Sequence, residues 1–188
     1  RVEEAIRHFR RALELLATLP ETRERDRQEL GLQMAIAGPL GAARSFSHLE
    51  YEGALDRARA LVSQVGELPE RVRFRVLAGL AWSYNVQGAL ATASGLARQA
   101  LEVAERTGDG SHLGSAHTTV GAPLYFQGEL SLSLHHLEQA IALYDFEAHA
   151  PLVHTTGIDR GVTSRAMAAC CHVQLGHPDR GFAILSAP

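Results

Sequence analysis

Three segments of this chain repeat the same residue classes at the same offsets, and that repetition restricts the fold more than any single motif. Leu80-Ala81-x-x-Tyr84-x-x-x-Gly88, Val120-Gly121-x-x-Leu124-x-x-x-Gly128 and Ala168-Ala169-x-x-His172-x-x-x-Gly176 each set an apolar residue before a small one. A larger residue follows three positions on, and a Gly four after that. Downstream, Ala93, Ala97 and Ala100 sit at helical spacing after Gly88, and Ser133, Leu137 and Ala140 occupy the same offsets after Gly128. Gly181 and Leu185 follow Gly176 in the same way. The small residue lets a second helix approach the first, and the Gly marks a helix end, where a left-handed residue carries no Cβ penalty. Apolar positions at i, i+3, i+4 and i+7 make a stripe too wide for one partner, so each hairpin must bury the remainder against the next. The glycines stand 40 and 48 residues apart, so the unit is longer than a minimal two-helix repeat.

The rest of the chain fits the same scheme. Residues 1–19, with Ala5, Phe9, Ala12 and Leu16 on one face, read as the orphan second helix of a preceding repeat, ended by Pro20. Residues 22–44 predict a long first helix, kinked at Gly38-Pro39 where Pro removes a ladder hydrogen bond. Residues 50–65 predict its partner, with Ala54, Ala58 and Leu61 facing inward. Later helices are expected over 69–86, 89–106, 111–126, 129–146, 159–174 and 178–186, with the longest connection, 147–158, carrying Pro151 and Gly157. Strand-like alternation is missing throughout. The expected fold is all-α: a single array over 1–188, a right-handed superhelical α-solenoid of about four hairpins.

Composition removes several function classes. With 46% apolar and 21% charged residues the chain is not disordered as a whole, and 188 residues suffice for a core without metal or disulfide staples. A formal charge of −3 lacks the basic footprint of a nucleic-acid binder. All 18 basic residues are Arg, so no Lys is present for a Schiff base or a phosphate-binding loop. No apolar run is long enough to span a bilayer. The two cysteines, Cys170 and Cys171, are neighbours and cannot bridge distant parts of the fold, so a reducing, cytoplasmic setting is expected. The sequence opens on RVEEAIRHF and closes on ILSAP, which reads as a fragment of a larger protein.

The offsets from Leu80 through Ala100 resemble the tetratricopeptide repeat family, and the resemblance covers nearly the whole chain. A narrower likeness is carried by GLQMAIAGPL, LARQALEVAERTGD, GELSLSLHHLEQAIALYD and TTGIDRGVTSRAMAACCHVQLGHPDRG. These resemble the C-terminal repeat region of bacterial fusion proteins bearing a class III adenylate/guanylate cyclase domain and a STAND-type signalling ATPase. The order of the pieces is similar, with a long linker after Leu143–Asp145 and a closing Leu-Gly-x-Pro-Asp at Leu175–Asp179. Ser133 and Gly181 stand where that family usually has Ala, and Cys170-Cys171-His172 replaces large apolar residues. The resemblance implies a parent protein that makes cyclic nucleotide and binds ATP. Neither the phosphate-binding loop nor a recognisable pair of metal-binding Asp residues of a cyclase core occurs in this sequence.

Direct chemistry is poorly supported by the residues. His135-His136 point about 100° apart on a helix, His112 and His117 are five apart, and none of the ten histidines forms the i, i+4 pair of a zinc helix. Cys171 with His172 and His177 is the nearest approach to a ligand set, but a small buried core Cys accounts for it. No G-x-S-x-G elbow exposes a Ser. The Glu21–Glu29 run reads as a solvated face, with Glu21–Arg25 and Glu67–Arg71 as weak i, i+4 pairs. No enzyme, cofactor, metal, nucleic acid or membrane is therefore expected. The expected function is a scaffold recognising a protein or peptide, including other domains of the same parent chain, through Arg75, Trp82, Asn85, Ser115, Thr118, Tyr125 and Phe126 on the concave face. That face also carries Ala78, Val86, Ala122, Thr163, Ala166, Cys170 and Val173. The alternatives are a homo-oligomerising arm and a small-molecule or metal site near His112, His117 or Cys171.

Overall fold

A computed structural model describes residues 2–43, 49–66, 68–145 and 159–186, and the described residues are helical with no strands. The helices are α1 (Val2–Ala17), α2 (Arg23–Ala43), α3 (Leu49–Gln64), α4 (Glu70–Val86), α5 (Leu90–Thr107), α6 (Gly110–Phe126), α7 (Leu130–Ala142), α8 (Arg160–Gln174) and α9 (Pro178–Ser186). The expectation over 129–146 is corrected, because α7 ends at Ala142. Tyr144 leaves the helix to donate its hydroxyl hydrogen bond to Asp159 Oδ2 at 3.1 Å. Its ring lies 2.5 Å from where a Cβ on Gly161 would stand, so a larger residue there would displace Tyr144. Helix α2 continues through Pro39. The expected 147–158 connection, and Glu67 of the expected Glu67–Arg71 pair, lie outside the described residues.

The three glycines of the repeat do what their spacing implies. Gly88, Gly128 and Gly176 have φ of 79°, 82° and 86°, the left-handed region. At each, the Gly N–H bonds the carbonyl three residues back, Asn85, Tyr125 or Val173, at 3.1 Å. The next N–H reaches back five residues, to Tyr84, Leu124 or His172, at 2.8–3.0 Å. This is one Schellman motif made three times, and Tyr84, Leu124 and His172 are the middle residues of the sequence pattern.

Packing is serial: each helix rests chiefly on its neighbours in the chain, and first helices also touch the next first helix, α4 on α6 and α6 on α8. Ala93, Ala97 and Ala100 are completely buried, as are Ala58 and Leu61 in α3. Gly121 sets the closest approach of α6 and α7, since a Cβ there would stand 2.8 Å from Leu137 Cγ. Ser133 donates its hydroxyl hydrogen bond to the Gly121 carbonyl at 2.8 Å, so the residue standing in place of Ala closes this interface. Gly181 does the same for α8 and α9, where a Cβ would lie 2.9 Å from the Ala169 carbonyl oxygen. Leu185 departs from its expected inward position and is 56% exposed, while Ile184 packs on the α7–α8 core instead.

Candidate partner-binding face

Short turns after α4 and after α5 reverse the chain twice, so α4 and α6 run parallel, and cross-helix contacts fix their register. The Phe74 and His112 rings lie 4.5 Å apart, 38 positions apart in sequence. Between α6 and α8, the Thr118 and Ser164 hydroxyls pair at 2.8 Å, and Gln174 Nε2 donates to Tyr125 Oη at 2.6 Å. These separations track the 40- and 48-residue glycine spacing, so equivalent positions of successive first helices come side by side.

Not every residue expected on this face is offered to a partner. Arg75 and Phe126 are exposed, and Trp82, Ser115 and Tyr125 are partly buried. Thr118 is completely buried, and its hydroxyl bonds Ser164 and the Gly114 carbonyl. It therefore aligns α6 with α8 and has no surface to present, a correction to its expected role. Asn85 is also buried, and its Oδ1 meets no donor among the described residues. Ala78 and Ala122 are likewise buried, whereas Val86, Cys170 and Val173 reach solvent.

Sequence reasoning missed Arg160, the first residue of α8. Its guanidinium carbon sits 4.9 Å above the Trp82 ring centroid, joining α8 to α4 across this face. Burial pulls its pKa down to about 10, partly opposed by the nearby Tyr51 hydroxyl. Burial likewise pushes the Tyr51 phenol up to about 12, and Arg160 acts against that shift. The adjacent carboxylate, Asp159, is engaged elsewhere: Oδ1 accepts from the Gly161 and Val162 amides as the helix N-cap, and Oδ2 accepts from Tyr144. The only sequence signal was indirect: residues 160–174 hold two arginines and no acid.

The histidines form pairs and not a cage. His117 and His136 bring their Nδ1 atoms to 2.9 Å, and burial first, then neighbouring histidines, lowers both pKa values. His172 is buried with Nε2 3.6 Å from Glu138. Among the described residues no three His, Cys, Asp or Glu side chains converge on one point. Cys171 is buried, with Sγ 3.6 Å from Ser133 Oγ, and burial raises its thiol pKa. No helix of the described residues is long and apolar enough to cross a membrane. Known proteins add nothing to this geometry. The chain matches no family model, and no curated protein or solved structure matches it.

Proposed function

We propose that the chain is a tetratricopeptide-like array, a right-handed α-solenoid whose first-helix face binds a protein or peptide segment and catalyses no reaction. Serial packing, three glycine caps in register and side-by-side first helices support that arrangement. In this reading the array is the regulatory or sensor part of a larger cytoplasmic signalling protein with cyclase and ATPase domains, on the resemblance described above. An occupant of the face would favour one curvature of the array, and the attached domains would respond.

The observation that carries the binding role is a set of apolar side chains left in water. Val86, Phe126 and Val173 are 43%, 59% and 50% exposed in the last turns of three successive first helices, with Trp82 and Tyr125 on the same helices. Water-exposed apolar groups clustered beside aromatics mark interaction surfaces. Selection of peptides from a random display library on the isolated protein tests this. Selected peptides should lose binding to Phe126→Ser/Val173→Ser and keep it on Leu132→Ser, a control on the exposed side of α7. The reverse pattern refutes the assignment. Unchanged activity of the parent protein with Trp82→Ala/Tyr125→Ala would remove the regulatory role.

Self-assembly is favoured by one separate observation, the 68% exposure of Phe182 on α9. A dimer in sedimentation that Phe182→Ser dissociates would establish it, and a monomer at high concentration would dismiss it.

A further inference from the structure

Among the described residues, no ion pair engages the Arg160 guanidinium. Its Nη1 is buried and meets no acceptor among the described residues. Titration offers no release, because a group of pKa about 10 stays charged at neutral pH. Desolvating a charge without pairing it is costly, and stacking on Trp82 recovers only part of that cost. Asp159, its sequence neighbour, turns its carboxylate to the α8 cap and to Tyr144, and the charge acting on Arg160 is that of Tyr51.

The wider charge distribution points the same way. Helices α4, α6 and α8 carry Arg71, Arg73, Arg75, Arg160 and Arg165 against a single acid, Glu70, in a chain of net charge −3. Glu70 is already paired with Arg106 of α5 at 2.8 Å. The second helices of the same hairpins, α5, α7 and α9, hold three arginines against four acids. Helices α4, α6 and α8 are thus electropositive, and among them Arg160, with a buried nitrogen that meets no acceptor among the described residues, lies beside the one tryptophan.

We propose that Arg160 anchors a carboxylate from an acidic side chain of a partner segment lying across the first-helix face, beside Trp82 and Tyr51. This rests on the partner-binding reading above and names the chemistry of the partner. A guanidinium presents a planar fork that matches a carboxylate, and a charge-assisted bond in a partly buried setting is stronger than one in water. Trp82 and the arginine stem supply apolar walls for neighbouring side chains of the same segment.

Trp82 is the only tryptophan in the chain, so its emission reports on this site directly. The probes are a short peptide of alternating Glu and Leu, acetylated and amidated at its ends, its Gln/Leu analogue, that analogue with a free C-terminal carboxylate, and inorganic phosphate. The Glu peptide should shift Trp82 emission saturably and bind about ten- to a hundredfold more tightly than the amidated Gln analogue. Arg160→Met should abolish that preference and raise the melting temperature of the unliganded protein. Arg160→Lys, which keeps the charge and loses the fork, should weaken the preference and keeps the test open should Met disturb α8. Equal binding of the Glu and amidated Gln peptides, or an affinity for the Glu peptide unaltered in both variants, overturns the carboxylate anchor and leaves the partner-binding face standing. Tighter binding of the free-terminus analogue or of phosphate overturns the acidic side chain as the source. Failure of every peptide to bind removes the partner-binding reading as well.

Discussion

The α6–α7 interface depends on a missing methyl group, and a double-mutant cycle measures that dependence. Gly121→Ala adds a Cβ 2.8 and 2.9 Å from Leu137 Cγ and Cδ2, while the nearest backbone atom, the Ser133 carbonyl oxygen, is 3.4 Å away. Replacing Gly by Ala inside a helix gains about 1 kcal/mol, and overpacking a filled core costs about 1–3 kcal/mol. The net expectation for Gly121→Ala is a destabilisation of about 0–2 kcal/mol. Leu137 is completely buried, so Leu137→Ala should cost about 2–5 kcal/mol. In that second background the new Cβ enters vacated space, the clash vanishes and only the helical gain remains. Gly121→Ala should therefore stabilise the Leu137→Ala protein by about 1 kcal/mol, a coupling of about 1–3 kcal/mol between the two sites. Urea unfolding followed by circular dichroism at 222 nm reads all four corners, with unchanged slopes verifying that only stability has moved. An effect of Gly121→Ala identical in both backgrounds, or stabilisation of the wild type, would refute the close-approach argument.

Burial lowers the pKa values of His112, His117 and His136 below the ordinary 6.5. Their folded-state preference for the neutral form is fully present above that value and lost as the pH falls below it. The melting temperature should drop between neutral and mildly acid pH, and His117→Gln/His136→Gln should flatten the drop. Gly88→Ala places a Cβ at φ 79° and should cost about 1 kcal/mol in urea unfolding. Thr118→Val leaves the buried Ser164 hydroxyl without its partner and should cost about 1–3 kcal/mol, while Thr118→Val/Ser164→Ala should recover much of that loss.

Local signals were the legible ones. Gly88, Gly128 and Gly176 announced their helix ends because a left-handed cap is a property of one residue and its turn. The inward face of α5 was readable from Ala93, Ala97 and Ala100 because helical periodicity does not depend on the partner. The end of α7 was not readable, because Tyr144 is drawn away by Asp159 and Gly161, whose position depends on how α8 returns. Thr118 passed for a groove residue for the same reason: a hydroxyl looks solvent-facing until Ser164, 46 positions later, arrives beside it. Arg160 was hidden most deeply. Its meaning comes from Trp82 and Tyr51 on two other helices, and no spacing within α8 encodes that meeting.

The glycine caps have a consequence for how such a chain can change length. In the three hairpins whose first helices end at Gly88, Gly128 and Gly176 the turn geometry is fixed by two backbone bonds, so an inserted residue there would rotate the following helix and misalign its apolar stripe. The joint between α7 and α8 takes up the difference between the 40- and 48-residue glycine spacings while Thr118 still meets Ser164. Sequence grafted at that joint would emerge next to Arg160, at the threshold of the electropositive side. Lengthening the chain there is a way to change what reaches the site without rebuilding the scaffold that holds it.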